Sequence, residues 1–256
     1  MKSSLAACIP ALILATGACA SEPAPKRQTS AASPASSAGQ EADTAKAAFD
    51  RAHHMQASLW LALSTRDALV DGDLEDAKTS ARALASHDYA GTIPDAWKHW
   101  IGEVQKQAGE ITIAGNVDDA SQSLAALALA CGNCHYHHDA GPAVAPEPPV
   151  EWREGPDTLD ERMIRHADGV VQMWAGLVQP SDDAWRAGTI TITRAPLEAP
   201  ITQDGKTDPR SGAALERVRG LAKRARTAAT YAERGMIYGE LIATCAHCHA
   251  TMPRSP

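Results

Sequence analysis

Apolar residues recur along most of the chain at spacings of three and four, the period of an amphipathic helix. From Asp43 to Val70 the stripe Ala48, Ala52, Met55, Leu59, Ala62 and Leu69 predicts one long helix, broken by Asp71-Gly72-Asp73. A second helix covers Leu74 to Ala85. A third begins near Pro94, with Thr92 as its candidate cap, and carries Trp97, Ile101 and Val104. Asn116, followed by Asp118 and Asp119, suits the start of a fourth, because acids complement the positive end of the helix dipole. Farther on, Leu159 to Val178 reads as a helix ended by Pro180-Ser181. Asp183 to Thr193 is helical by analogy with the first half, although Thr189-Ile190-Thr191-Ile192-Thr193 alternates like a strand. Residues 195 to 211 read as loop. Ser211 to Cys248 reads as helix with a turn near Thr227 to Thr230.

These elements divide into two similar halves. Pro142, Pro146, Pro148, Pro149 and Pro156 interrupt any helical period, so residues 140–157 read as an interdomain linker. Leu124, Leu127, Cys131 and Cys134 match Tyr238, Leu241, Cys245 and Cys248 at an offset of 114, and Trp60 matches Trp174 at the same offset. The expected fold is all-α: two tandem four-helix bundles, over 43–139 and 158–256, with separate cores.

Each half ends in the same chemistry. Cys131-Gly132-Asn133-Cys134-His135 and Cys245-Ala246-His247-Cys248-His249 both read C-x-x-C-H, the signature for covalent c-type haem. Two thiols one helical turn apart can bond the two vinyl groups of one haem. The next imidazole then reaches the iron as its proximal ligand. The expected cofactors are two haems c per chain, on Cys131 and Cys134 and on Cys245 and Cys248, with His135 and His249 as proximal ligands. A zinc site built from both pairs is the rival. The 110 residues between the pairs, and the histidine after each, speak against it.

The start of the chain bears on location. Met1-Lys2 and the short apolar run Leu5 to Ala18 read as an export signal over 1–20. Ala18-Cys19-Ala20 is an ordinary secretion site, whereas Thr16-Gly17-Ala18-Cys19 resembles a bacterial lipobox that would lipidate Cys19. Residues 21–42, rich in Ser, Ala and Pro, read as a disordered tether. The expected location is the periplasm or cell envelope, with membrane contact only through a lipid anchor. The net charge of −7 argues against a nucleic-acid partner.

Each half resembles cytochrome c prime, the four-helix-bundle class of c-type cytochromes. The motif ends each unit rather than opening it, and Pro94-Asp95-Ala96-Trp97 resembles that family's third helix. Arg51-Ala52-His53-His54-Met55 and Arg162-Met163-Ile164-Arg165-His166 resemble its first-helix motif, an Arg four residues before the residue facing the iron. The resemblance implies distal candidates Met55 and His166. Aligning Trp60 with Trp174 makes His53 the alternative in the first half. The family's basic residue after C-x-x-C-H is missing from the first half, where Tyr136, His137, His138 and Asp139 stand, and Arg254 comes late in the second.

Three function classes follow. The first is a dihaem cytochrome that carries single electrons to and from a redox partner of the cell envelope, a carrier rather than an enzyme. The second, which the resemblance implies, is a protein that binds or senses NO or CO at an open distal face. The third, a dihaem peroxidase, ranks below both, since those enzymes resemble the architecture with an N-terminal motif.

Overall fold

The computed structural model describes residues 34–89, 91–141, 159–194, 202–203, 206–207 and 209–250. The expected export signal, Cys19, most of the expected linker, Met252 and Arg254 lie outside them. The chain forms two units, Met1–Asp43 and Thr44–Pro256. In the first, only a helical stretch from Pro34 is described.

The second unit is all-α apart from one small hairpin. Its helices are α1 (Pro34–Val70, which begins in the first unit), α2 (Leu74–Ala85), α3 (Lys98–Ile113), α4 (Val117–His138), α5 (Leu159–Val178), α6 (Asp182–Arg194), α7 (Pro209–Thr227) and α8 (Tyr231–His249). A 3-10 turn, Asp95–Trp97, leads into α3. Strands β1 (Thr202–Gln203) and β2 (Lys206–Thr207) pair antiparallel between α6 and α7. No helix among the described residues is long and apolar enough to cross a membrane.

Local chemistry sets the helix starts. The Asp73, Asn116 and Thr230 side chains accept from the backbone N–H of Asp76, Asp119 and Glu233, capping α2, α4 and α8. Glu233 reaches back to the Ala229 N–H, closing the turn between α7 and α8. Thr92 caps nothing, because its hydroxyl donates to the Tyr89 carbonyl. The last tether residues, from Pro34, are helical: this stretch holds Ala, Gln and Glu, which favour helix. Residues 189–193 lie within α6 rather than in a strand. Thr189, Thr191 and Ile192 are buried there, so packing overrides the β-branched preference.

Helices α4 and α8 pack against each other and run antiparallel. Gly132 meets Tyr231, Leu129 meets Gly235, Gln122 meets Gly239 and Asp118 meets His247, so one number falls as the other rises. The pairing has an approximate two-fold axis near Leu124 and Tyr238. Shifting the Gly132–Tyr231 contact by the 114-residue repeat lands one residue from the Asp118–His247 contact. Leu124, Leu127, Tyr238 and Leu241 are almost wholly buried there, and the core continues into Leu69, Leu84, Ile111, Met173 and Leu177. Where the sequence suggests two separate cores, both halves share this one.

Candidate functional site

The two C-x-x-C-H motifs lie within the last turns of α4 and α8, at opposite ends of the antiparallel pair. Cys131 stands beside the start of α8, and Cys245 lies fourteen residues along that helix, about 20 Å away. The two pairs therefore cannot close around one zinc ion. Among the described residues, no three His, Cys, Asp or Glu side chains converge as a metal shell. None of Cys131, Cys134, Cys245 and Cys248 is in a disulfide. Burial pushes Cys131 and Cys245 up to about 12, so both are neutral thiols at pH 7.

At the first centre, His135 Nδ1 lies 2.7 Å from the Val178 carbonyl. A carbonyl only accepts, so Nδ1 holds the proton and Nε2 keeps its lone pair. Burial lowers the pKa of His135, partly offset by that hydrogen bond. The result is a neutral, oriented imidazole, the form that binds a metal. A Cβ at position 132 would run into the Leu177 carbonyl and the Tyr231 hydroxyl, which bond to each other. Only glycine lets α4 sit this close to the end of α5. Residues of the second half thus seat the first motif.

A polar cluster joins α1 to the segment after α2. Tyr89, 8 % exposed, shares a hydrogen bond of 2.5 Å with Ser58. His54 Nδ1 lies 3.0 Å from His87 Nε2, and both rings pack on Tyr89. His87 therefore has partners that the sequence leaves hidden. Beyond the motif, His138 is half-buried against Trp97, which also carries Arg51 over its face, and His137 stacks on Trp100.

At the second centre a cavity of about 360 Å³ opens beside the motif. Cys245, Cys248 and His249 line it from α8, Met163, His166 and Val170 from α5, Val218 from α7, Arg66 and Val70 from α1, and Asp71 from the turn after α1. The first half thus reaches into the second centre, mirroring α5 at the first. Gly72, at φ +76°, makes this possible: the left-handed turn suits glycine, and a Cβ would come within 2.9 Å of the Ala246 carbonyl. The Asp71 carboxylate lies 3.9 Å from His249 Nδ1, too far for a hydrogen bond. Arg66 is 6 % exposed, binds Asp67 through Nε and Nη2 and lies over Trp174. Its Nη1 is buried without a hydrogen-bond partner.

The distal candidates separate in space. His166 shares the cavity with Cys245, Cys248 and His249. Met55 is half-buried, whereas His53 is exposed, about 140° round α1 from Ser58. The Trp60–Trp174 match fails, since Trp60 is 70 % exposed and Trp174 only 3 %. The α1–α2 and α5–α6 junctions leave the same gap, Val70 to Leu74 and Val178 to Asp182, which fixes their offset at 108. The remaining six residues are spread over the longer α6, α6–α7 connection and α7. Leu69 then corresponds to Leu177, Arg66 to Trp174, Met55 to Met163, and Ser58 to His166. A single offset of 114 therefore misaligns α1 with α5.

Other expected roles are simpler. His247 is exposed and pairs with Asp118 at 2.7 Å. In the charge run Arg217 to Arg226, Arg219 pairs with Glu216 and Arg224 with Glu240 on a solvated face. No family model, no curated protein and no solved structure matches the chain.

Proposed function

We propose that the chain is a dihaem c-type cytochrome that carries single electrons in the cell envelope. The observation that carries this reading is the second cavity: two cysteines one turn apart, the following histidine and a facing histidine share one largely apolar space. Cys131, Cys134 and His135 would hold one haem, and Cys245, Cys248 and His249 the other. The haem supplies one-electron chemistry at its iron. The chain's own residues hold it, orient it and exclude water. Val178 fixes the tautomer of His135, Val70, Val170 and Val218 line the second cavity, and the buried Arg66 Nη1 offers a donor to a haem carboxylate.

His166 is the proposed distal ligand of the second iron. The two-bundle resemblance to cytochrome c prime stays part of this proposal, and location outside the cytoplasmic membrane rests on the leader sequence. A spectroelectrochemical titration tests the carrier role. Two reversible one-electron steps are expected, with a low-spin signal that His166→Ala converts to high spin. Irreversible reduction, or a low-spin signal untouched by His166→Ala, would contradict it.

A further inference from the structure

We propose that the outer face of α1 rests on a lipid surface, with Phe49 and Trp60 entering the headgroup region. The inference rests on the envelope location and needs neither haem. Phe49, the chain's one phenylalanine, is 73 % exposed, and Trp60 is 70 % exposed. A single exposed ring is ordinary. These two share a line. At 100° per residue, Phe49, His53, Gln56 and Trp60 fall within an arc of about 60°, and all four are exposed. The two rings stand about 16 Å apart along the helix, three turns from one to the other. Ala62 and Leu69, which are buried, lie on the far side of α1, so the stripe is not an unfilled part of the core. Asp67, exposed on the same line, ends the stripe about 10 Å beyond Trp60.

The occupant follows from chain length, area and charge. Thirty residues separate Phe49 from Cys19, the expected site of lipidation. Fully extended they reach at most about 100 Å. A lipid at Cys19 therefore keeps α1 close to the bilayer, where a weak second contact gains from high effective concentration. A second copy of the chain is a poorer fit. Two rings this exposed offer roughly 200–350 Å² per copy, against about 800 Å² on each partner of a stable interface. A lipid surface needs no matched shape, and its headgroup layer suits an indole, apolar in body and polar at its N–H. His53 and Gln56, between the rings, can stay in contact with headgroups and water. No described helix crosses a membrane, so the contact is interfacial. The net charge of −7 gives anionic headgroups no pull on the chain, so the attraction is apolar.

The test uses full-length protein carrying Cys19→Ser, which removes the acyl chain, mixed with phosphatidylcholine vesicles and separated by flotation. A measurable partition is expected. Phe49→Ser and Trp60→Ser should each weaken it at least about threefold, and Ile113→Ser should change it by less than about twofold. Ile113 is 76 % exposed on α3 and serves as the control. Adding phosphatidylglycerol should not strengthen binding. No flotation, or an equal loss in Ile113→Ser, would overturn the proposal. Binding that needs phosphatidylglycerol and disappears in salt would overturn it too, as would a dimer in light scattering that Trp60→Ser dissolves. An unacylated mass for the native protein would instead remove the anchor at Cys19 and leave the vesicle result standing.

Discussion

The two centres share a framework and differ in what stands around the histidine that follows each cysteine pair. Behind His135 is a backbone carbonyl at 2.7 Å, and behind His249 a carboxylate at 3.9 Å. The second centre opens into the cavity that His166 lines, and Ser58 is the residue of α1 that corresponds to His166. The α4–α8 contacts nearly repeat across the axis, yet the side chains around the two motifs differ. Neither seat belongs to one half alone, because α5 completes the first and α1 the second.

The largest expected effect breaks what the centres share. Leu124 is wholly buried near the axis. Leu124→Ala should cost about 2–5 kcal/mol and lower the thermal midpoint of both halves in a single transition. Two calorimetric transitions, with one unmoved, would mean that the halves fold separately after all. Next comes a change confined to one seat. Gly132→Ala forces a Cβ against the Leu177 carbonyl and Tyr231, at a cost of about 1–3 kcal/mol. Haem content should fall at the first centre and not at the second, as read by tryptic haem-peptide mapping.

A smaller effect separates the halves by pH. Burial lowers the pKa of His87 below 6.5, with His54 and His53 acting in the same sense and Asp88 against them. The unfolded chain therefore takes up a proton near pH 6.5 that the folded chain takes up only at lower pH. Stability from this group is full above that value and is lost as pH falls below it. His87→Gln should flatten the fall in urea midpoint between about pH 7.5 and about pH 5.5. An unchanged slope would remove His87 as the cause. The smallest effect is expected at the exposed His247–Asp118 pair, where Asp118→Asn should change stability by less than about 1 kcal/mol. Urea unfolding measures it, and a larger loss would show that this end of the α4–α8 pair carries more of the fold than its exposure suggests.

Much of this arrangement is legible in the sequence. The C-terminal end of α1, both ends of α2 and α5, and the Asn116 cap follow from periodicity and capping residues, which act locally. The two motifs announce themselves by spacing. What stays hidden is long-range. The antiparallel pairing of α4 with α8 depends on glycines whose role appears only once the helices meet. The linker prolines suggest independent halves, whereas Val178 reaches His135 and Asp71 approaches His249 across that divide. The Trp60–Trp174 match shows the same limit: a repeat read at one offset misassigns α1, because six extra residues lie elsewhere in the second half. His53 is the alternative only under that offset, and at 108 Ser58 takes the place that corresponds to His166.

The most direct measurement of the central claim is the intact mass of the denatured, full-length protein purified from a host with the haem-attachment machinery, alongside a pyridine haemochrome assay. The account predicts a mass raised by two haems that survive denaturation and a haemochrome count of two per chain. A mass without haem, one haem only, or zinc released in its place would contradict it.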